Sequence, residues 1–187
     1  AVGAVKSANP GALWLLDPVM GDRKPGQPGR VFVKPGIPEF FAEIAPLADI
    51  LTPNAFEFAL LTGTEPDSLA TVVAAARRYG PEITVVKSIE LTPGTLTTVA
   101  VAPDQSWAVE TPLLPTPGNG AGDAFAALFL ARYLDAHDVA EALGLAISSI
   151  HAILAATVDS GATELALVAA QDQIVAPTQR FRVKRVD

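Results

Sequence analysis

Ala48-Asp49-Ile50-Leu51-Thr52-Pro53-Asn54-Ala55-Phe56-Glu57 reads as a short strand running directly into a helix. Ile50 and Leu51 continue an apolar run, and Thr52-Pro53 stops it, because proline supplies no N–H to a ladder and restricts the residue before it. Asn54 then stands where a side chain accepts a first-turn backbone N–H, with Glu57 three positions later, the pattern of a capping box. The helix is expected to run through Leu61 and to close at Gly63. A strand, a tight stop and a capped helix make up the repeating step of a mainly parallel α/β sheet.

The step recurs on both sides. Leu13-Trp14-Leu15-Leu16 is apolar without alternation, as in a strand buried on both faces, and it ends at Asp17-Pro18. Pro38–Leu47 suits a helix with proline in its first turn. Another helix is expected over about Ser68–Tyr79, passing through Gly80-Pro81 into a strand at 83–86. Leu96–Val101 and Ser106–Glu110 form an expected antiparallel pair turning at Pro103-Asp104. Helices follow at about Ala121–Leu134, Val139–Thr157 and Thr163–Ala170, and the tail Arg180–Arg185 alternates like a terminal strand. Val19–Gly36 is rich in Gly, Pro and charge and reads as one long mobile loop. The fold class is therefore an open, mainly parallel α/β sheet flanked by helices, with residues 1–187 as a single domain. Ala1–Ala8 reads as the tail of a helix that runs into Asn9-Pro10-Gly11, so the chain is expected to be the C-terminal part of a longer protein.

Composition removes several function classes. The 13 basic and 20 acidic residues give a net charge of −7, and no basic run forms a nucleic-acid footprint. There are no cysteines, which excludes disulfide frameworks and thiolate metal sites and agrees with a cytoplasmic enzyme. No apolar run is long enough to suggest a membrane span, and no signal peptide is recognisable. His137 and His151 lack an HxxxH partner and read as core or surface residues rather than ligands.

Chemistry concentrates at Gly118-Asn119-Gly120-Ala121-Gly122-Asp123-Ala124-Phe125. Glycines allow a backbone to bend and a ligand to approach closely. The helix that follows offers free N–H groups and a positive dipole end, which suit a phosphate. Neither Walker A nor the dinucleotide fingerprint is present. Asp123 could serve only as a first-turn acid, but a carboxylate beside a phosphate cradle is placed to deprotonate an attacking hydroxyl, and the feature points to phosphoryl transfer. Asp17-Pro18-Val19-Met20-Gly21-Asp22 follows a buried strand, where open α/β sheets bind ligands. Asn54 and Glu57 read first as a cap, and as hard oxygen donors they also suit Mg²⁺ and its water shell. Lys87-Ser88 ends a strand and is either solvated or phosphate-facing. Ser160–Leu165 is a helix-entry turn or, less directly, part of a base wall.

In this order, these motifs resemble the ribokinase superfamily and, within it, the pyridoxal kinases. Gly120-Ala121-Gly122-Asp123 resembles the superfamily's Gly-x-Gly-Asp signature, and Asp17–Asp22 resembles the vitamin-kinase branch. Ala48–Glu57 and the tail Val168-Ala169-Ala170-Gln171-Asp172-Gln173-Ile174-Val175-Ala176-Pro177 are similar to pyridoxal kinases. The resemblance implies a ribokinase-like sheet lacking its N-terminal strands, and ATP-dependent phosphorylation of the 5′-hydroxyl of pyridoxal. It makes Asp123 the base, and the backbone N–H groups of Gly120, Ala121, Gly122 and Asp123 the anion hole. It places Asp17, Asn54, Glu57, Lys87, Ser88, Gly120 and Gly122 around ATP, with Mg²⁺ at Asp17, Thr52 and Glu57. Residues 160–165 would lie by the adenine, and the loop at 19–36 would close over ATP. A homodimer, a K⁺ ion and a cytoplasmic location are implied as well, with no nucleic-acid or membrane partner.

Three departures accompany the resemblance. Ala121 stands where pyridoxal kinases usually carry threonine, and the Gly-Ala-Gly-Asp form is commoner among sugar kinases. Lys87 replaces a threonine of some relatives, so its ammonium is expected to stand in part for the monovalent cation. Family members also carry a further segment ahead of Ala1, so the chain alone is expected to be inactive. Hydroxymethylpyrimidine or sugar phosphorylation, or a non-catalytic nucleotide-binding fragment, are the alternatives.

Overall fold

The computed structural model describes residues 1–23, 27–115 and 119–186. Gly118 of the glycine loop and residues 24–26 of the long loop lie outside them. After helix α1 (Val2–Ala8), the chain enters strand β1 (Leu15–Leu16). A ribbon of β2 (Gly21–Asp22) and β3 (Arg30–Val31) leads to α2 (Ile37–Ile44) and a 3₁₀ turn at Ala45–Leu47. Strand β4 (Ile50–Leu51) passes into α3 (Ala55–Thr62), and α4 (Leu69–Tyr79) leads into β5 (Ile83–Thr92). Strands β6 (Thr95–Val101) and β7 (Ser106–Pro112) follow as hairpins. Helices α5 (Ala121–Ala136), α6 (Val139–Ser160) and α7 (Gln171–Val175) precede the last strand, β8 (Lys184–Val186).

The six-stranded sheet runs β1-β4-β5-β6-β7-β8. The first three strands are parallel, with Leu15 opposite Ile50 and Ile50 opposite Ile83, and the remaining pairings are antiparallel. β1, β4, β5 and β7 therefore point the same way, and their carboxyl ends share one edge.

Both faces of the sheet are covered, which explains why its strands are apolar without alternation. Val85, Ala100 and Val109 pack beneath Phe125, Phe129 and Ile150 of α5 and α6. Val86, Val99 and Ala108 point the other way, onto Phe58 of α3 and Val72 and Val73 of α4. Two layers of helices thus clamp one sheet, and a fully buried side chain such as Phe129 contributes roughly 1.5–3 kcal/mol by leaving water.

Most expected elements appear, with shifted ends. The capping box of α3 is complete: Glu57 N–H donates to Asn54 Oδ1 at 2.8 Å, and Asn54 N–H donates to Glu57 Oε2 at 2.9 Å. The helix expected at Thr163–Ala170 is instead a series of turns. There Ala166 N–H donates to the Thr157 hydroxyl and Leu167 N–H to Leu165 O, so these donors are drawn out of any helical ladder. Helix α7 begins only at Gln171.

The segment read as a long loop also carries order. Its ribbon pairs Gly21 with Val31 and Asp22 with Arg30, and Phe56 of α3 lies against it so closely that a Cβ on Gly29 would fall inside the ring. Arg23 covers the same ring at 5.4 Å and forms a bidentate pair with Glu65.

Helix α6 is 22 residues long and apolar enough, by length and composition, to cross a bilayer, which the sequence reading passed over. Its Ala142, Leu143, Ala146 and Ile153 instead fill the core between α5 and the sheet.

Candidate active site

Three parallel strands deliver three polar segments to one edge. Asp17 follows β1, Thr52-Pro53-Asn54 follow β4, and Lys87 lies within β5 at the level where Asn54 pairs with it by a parallel bridge. Lys87 N–H donates to Pro53 O at 2.8 Å, which holds the two segments in register. Beyond Lys87 the β5–β6 register shifts, and Ser88 takes a left-handed φ of 57°, a conformation that costs a non-glycine residue and is found at functional sites.

The side chains meet as a network. Lys87 Nζ donates to Asp17 Oδ1 at 2.7 Å, and the Thr52 hydroxyl donates to the same oxygen at 3.0 Å. Thr52 is fully buried, beneath the cavity rather than on its wall. Met20 N–H donates to Glu57 Oε1 at 3.0 Å, while Asn54 Nδ2 donates to Gly21 O at 2.8 Å. Glu57 thus ties the β2–β3 ribbon to α3. Burial pushes the Glu57 carboxyl above its ordinary value and Asp17 adds to the rise, against the backbone donors of Asn54 and Met20 and the Lys87 charge.

The fourth component is the start of α5. Gly120 caps it with φ 82°, where a Cβ would be strained, and no described side chain caps its first turn. The N–H groups of that turn are therefore left for a ligand. Gly122 lies directly over the ion pair: a Cβ there would stand 3.3 Å from Lys87 Nζ and 3.8 Å from Asp17 Oδ2. Lys87 Nζ also sits 6.0 Å from the Phe125 ring.

One cavity of about 360 Å³ gathers these groups. Asp17, Asn54, Glu57, Lys87 and Ser88 line it together with Gly120, Ala121, Gly122 and an exposed Asp123. Of the residues expected around the phosphates and metal, Thr52 stands back, acting on Asp17 through its hydroxyl. The turn at 160–165 lines none of it, although Leu165 approaches Gly120.

Sequence reasoning missed Phe32 on the ribbon, Leu96 and Thr98 on β6, and a face of α6 formed by Ile147, Ile150, His151 and Leu154. That face was legible as i, i+3, i+4 and i+7 helical spacing.

Among the described residues, no group of three or more acidic or histidine side chains forms a metal cage. Mg²⁺ does not require one, because it binds through one or two carboxylates plus phosphate and water. Asp17 and Glu57, adjacent hard-oxygen donors on one wall, fit that need.

Residues 4–167 match the phosphomethylpyrimidine kinase family. A pyridoxal kinase PdxY of Rubrobacter xylanophilus is 46% identical over all of this chain and 66% of its own length. The pyridoxal kinase PdxY of Leifsonia xyli is 42% identical over all of this chain and 67% of its own. The chain thus spans about two thirds of the length of these relatives. Pyridoxal kinase from Leishmania donovani, in complex with ADP and pyridoxine, superimposes with a TM-score of 0.85 and 26% identity, over all of this chain and 66% of that one. The chain belongs to the phosphomethylpyrimidine kinase family, and within that family it groups with the ribokinase-like pyridoxal kinases.

Proposed function

We propose that this chain carries the ATP-binding and phosphoryl-transfer machinery of a pyridoxal kinase, with residues 1–187 acting as one domain. The observation behind the reading is the convergence of the Asp17–Lys87 pair and the uncapped start of α5 on one cavity at the carboxyl edge of the sheet. In this reading Asp123 takes the proton from the 5′-hydroxyl of pyridoxal as that oxygen attacks the γ-phosphorus. The bond from the γ-phosphorus to the β–γ bridging oxygen breaks, and ADP leaves. Amides of residues 120–123 and the Lys87 ammonium stabilise charge on the transferring group, the usual main source of catalysis in phosphoryl transfer.

Asp17 and Glu57 would hold Mg²⁺, which supplies charge neutralisation to the phosphates when bound. Thr52 fixes Asp17 for that role, and Asn54 fixes the ribbon. Because Lys87 already places a cation beside Asp17, we expect turnover to depend weakly on K⁺. A cytoplasmic homodimer belongs to the same reading and is checked by light scattering and cell fractionation.

ATP consumption by the full-length protein on pyridoxal, hydroxymethylpyrimidine and ribose tests the proposal. Pyridoxal should be turned over with the highest kcat/KM, and preference for either of the other two would overturn the substrate assignment. Hydroxymethylpyrimidine is the second reading, favoured by the family that residues 4–167 match.

A further inference from the structure

The cavity changes character along the sheet edge: its wall is charged at β1, β4 and β5 and apolar at β6 and β7. At the charged, phosphate end the wall includes the β2–β3 ribbon, through Gly21, Asp22 and the adjoining Phe32. That ribbon has two residue pairs, Gly21 with Val31 and Asp22 with Arg30. A hairpin so short is marginal by itself, so its place is set by what holds it.

Helix α3 holds it with two consecutive residues. Glu57 Oε1 accepts Met20 N–H at 3.0 Å and Gly21 N–H at 3.4 Å. Phe56 lies against both arms: a Cβ added to Gly21 would stand 2.5 Å from the ring, and one added to Gly29 would collide with it. Neither glycine has a left-handed φ, so the backbone does not require glycine at either position. The ring does. Arg23 closes the seat, its guanidinium 5.4 Å from the ring centre and bidentate to Glu65 at 2.9 and 3.0 Å. The side chains of that pair are 42% and 61% exposed, so it adds little to stability. What its planar fork adds is a fixed orientation over the ring.

Gly21 takes part in both holds, through its N–H toward Glu57 and its α-carbon toward Phe56. A ribbon displaced from the ring therefore withdraws Met20 and Gly21 from Glu57. The carboxylate is then left with Asn54 N–H as its one donor among the described residues.

We propose that Phe56 is a positioning residue: seated between Gly21 and Gly29 and closed in by Arg23 and Glu65, its ring holds the ribbon, and through the ribbon's amides the Glu57 carboxylate, in the arrangement that takes Mg²⁺ with nucleotide. The inference rests on the kinase reading above and adds the side chain that sets the aim of its metal-binding carboxylate.

The test uses the full-length protein, with calorimetry giving Kd for ADP in Mg²⁺ and, separately, in EDTA. Phe56→Leu keeps apolar bulk but removes the ring, Gly29→Ala crowds the ring, and a double variant combines them. Each single variant should weaken ADP binding about three- to tenfold in Mg²⁺, a fraction of what a misplaced group can cost, and less than about twofold in EDTA. The double variant should bind no more weakly than Phe56→Leu alone, because the added methyl group takes space that the ring has vacated. A wild-type Kd in Mg²⁺ for either folded single variant overturns the inference. Equal losses in Mg²⁺ and EDTA also overturn it, by showing only a distorted cavity. So do losses that multiply in the double variant, since ring and glycine would then act independently. If Phe56→Leu does not fold, Arg23→Lys decides, as it keeps the charge without the fork: a loss of about two- to fivefold confined to Mg²⁺ supports the inference, and an unchanged Kd refutes it. Wild type that binds no ADP in either condition refutes the kinase reading itself, and this inference with it.

Discussion

Lys87→Met tests whether the Asp17–Lys87 pair is a structural keystone as well as a charge at the active site. The pair is short, 2.7 Å, and its side chains are only 11% and 13% exposed. Methionine keeps most of the lysine stem and its place near Phe125, so the change removes charge rather than volume. It leaves the Asp17 carboxylate with the Thr52 hydroxyl, at 3.0 Å, as its one remaining donor among the described residues. Breaking a buried ion pair by deleting one partner costs about 3–5 kcal/mol, and the adjoining cavity admits water that softens this to about 2–4 kcal/mol. For a domain of this size the melting temperature should fall by roughly 5–15 °C. Adding Asp17→Asn removes the stranded charge, so the double variant should recover at least half the loss, about 1–2 kcal/mol, and the coupling energy is that recovery plus the loss in Asp17→Asn alone. Thermal unfolding followed by circular dichroism, for wild type, both single variants and the double variant, measures each step. A single Lys87→Met variant melting within about 2 °C of wild type would refute the keystone argument.

Other expectations follow from the same geometry. Asp123→Ala should cut turnover about 10²–10⁴-fold while ATP affinity survives, measured by steady-state kinetics and calorimetry; near-normal turnover removes Asp123 from the role of base. Gly122→Ala should lower kcat tenfold or more, in line with the roughly 10²-fold losses that misplaced reacting groups can cause, because its Cβ would crowd Lys87 Nζ. Its melting temperature should hold or rise, since alanine favours a helix by about 1 kcal/mol over glycine. Glu57→Gln should raise the Mg²⁺ concentration for half-maximal activity severalfold, and an unchanged magnesium titration leaves Glu57 only its capping role. For His151 the folded imidazole binds its proton less readily than the unfolded one. The unfolded chain therefore gains protons first below about pH 6.5, and this residue's share of stability is lost as pH falls. Denaturant melts from pH 7 to 5 should show wild type losing more stability than His151→Phe, and parallel pH curves would contradict that sign.

Much of the site was legible because its parts are local in the chain. The capping box at Asn54 and Glu57, the αL close at Gly63 and the start of α5 near Ala121 each depend on a few neighbouring residues, and the structure places them there. What sequence could not supply was distance across the sheet. Thr52 entered as a metal residue through the family resemblance alone, and only the fold shows its hydroxyl buried and directed to Asp17. His151 read as an ordinary helical histidine, since its unpaired nitrogen depends on the packing of α6 against Phe181. The expected helix at Thr163–Ala170 failed for a related reason: the Thr157 hydroxyl captures Ala166 N–H, a tertiary choice that overrides propensity.

The Lys87–Asp17 bond also joins residues 70 positions apart. Strands β5, β6 and β7 are hairpin neighbours and can pair early, at little loop-closure expense. The parallel β1–β4–β5 zip needs long crossovers closed first, and each doubling of a loop adds about 0.6 kcal/mol to its entropy. The phosphate end of the cavity therefore comes into being only with the last, non-local stage of folding, after the apolar end has a sheet to rest on. Capture of tripolyphosphate during refolding should rise with the slowest phase, while burial of Trp107 on β7 should rise with an earlier one.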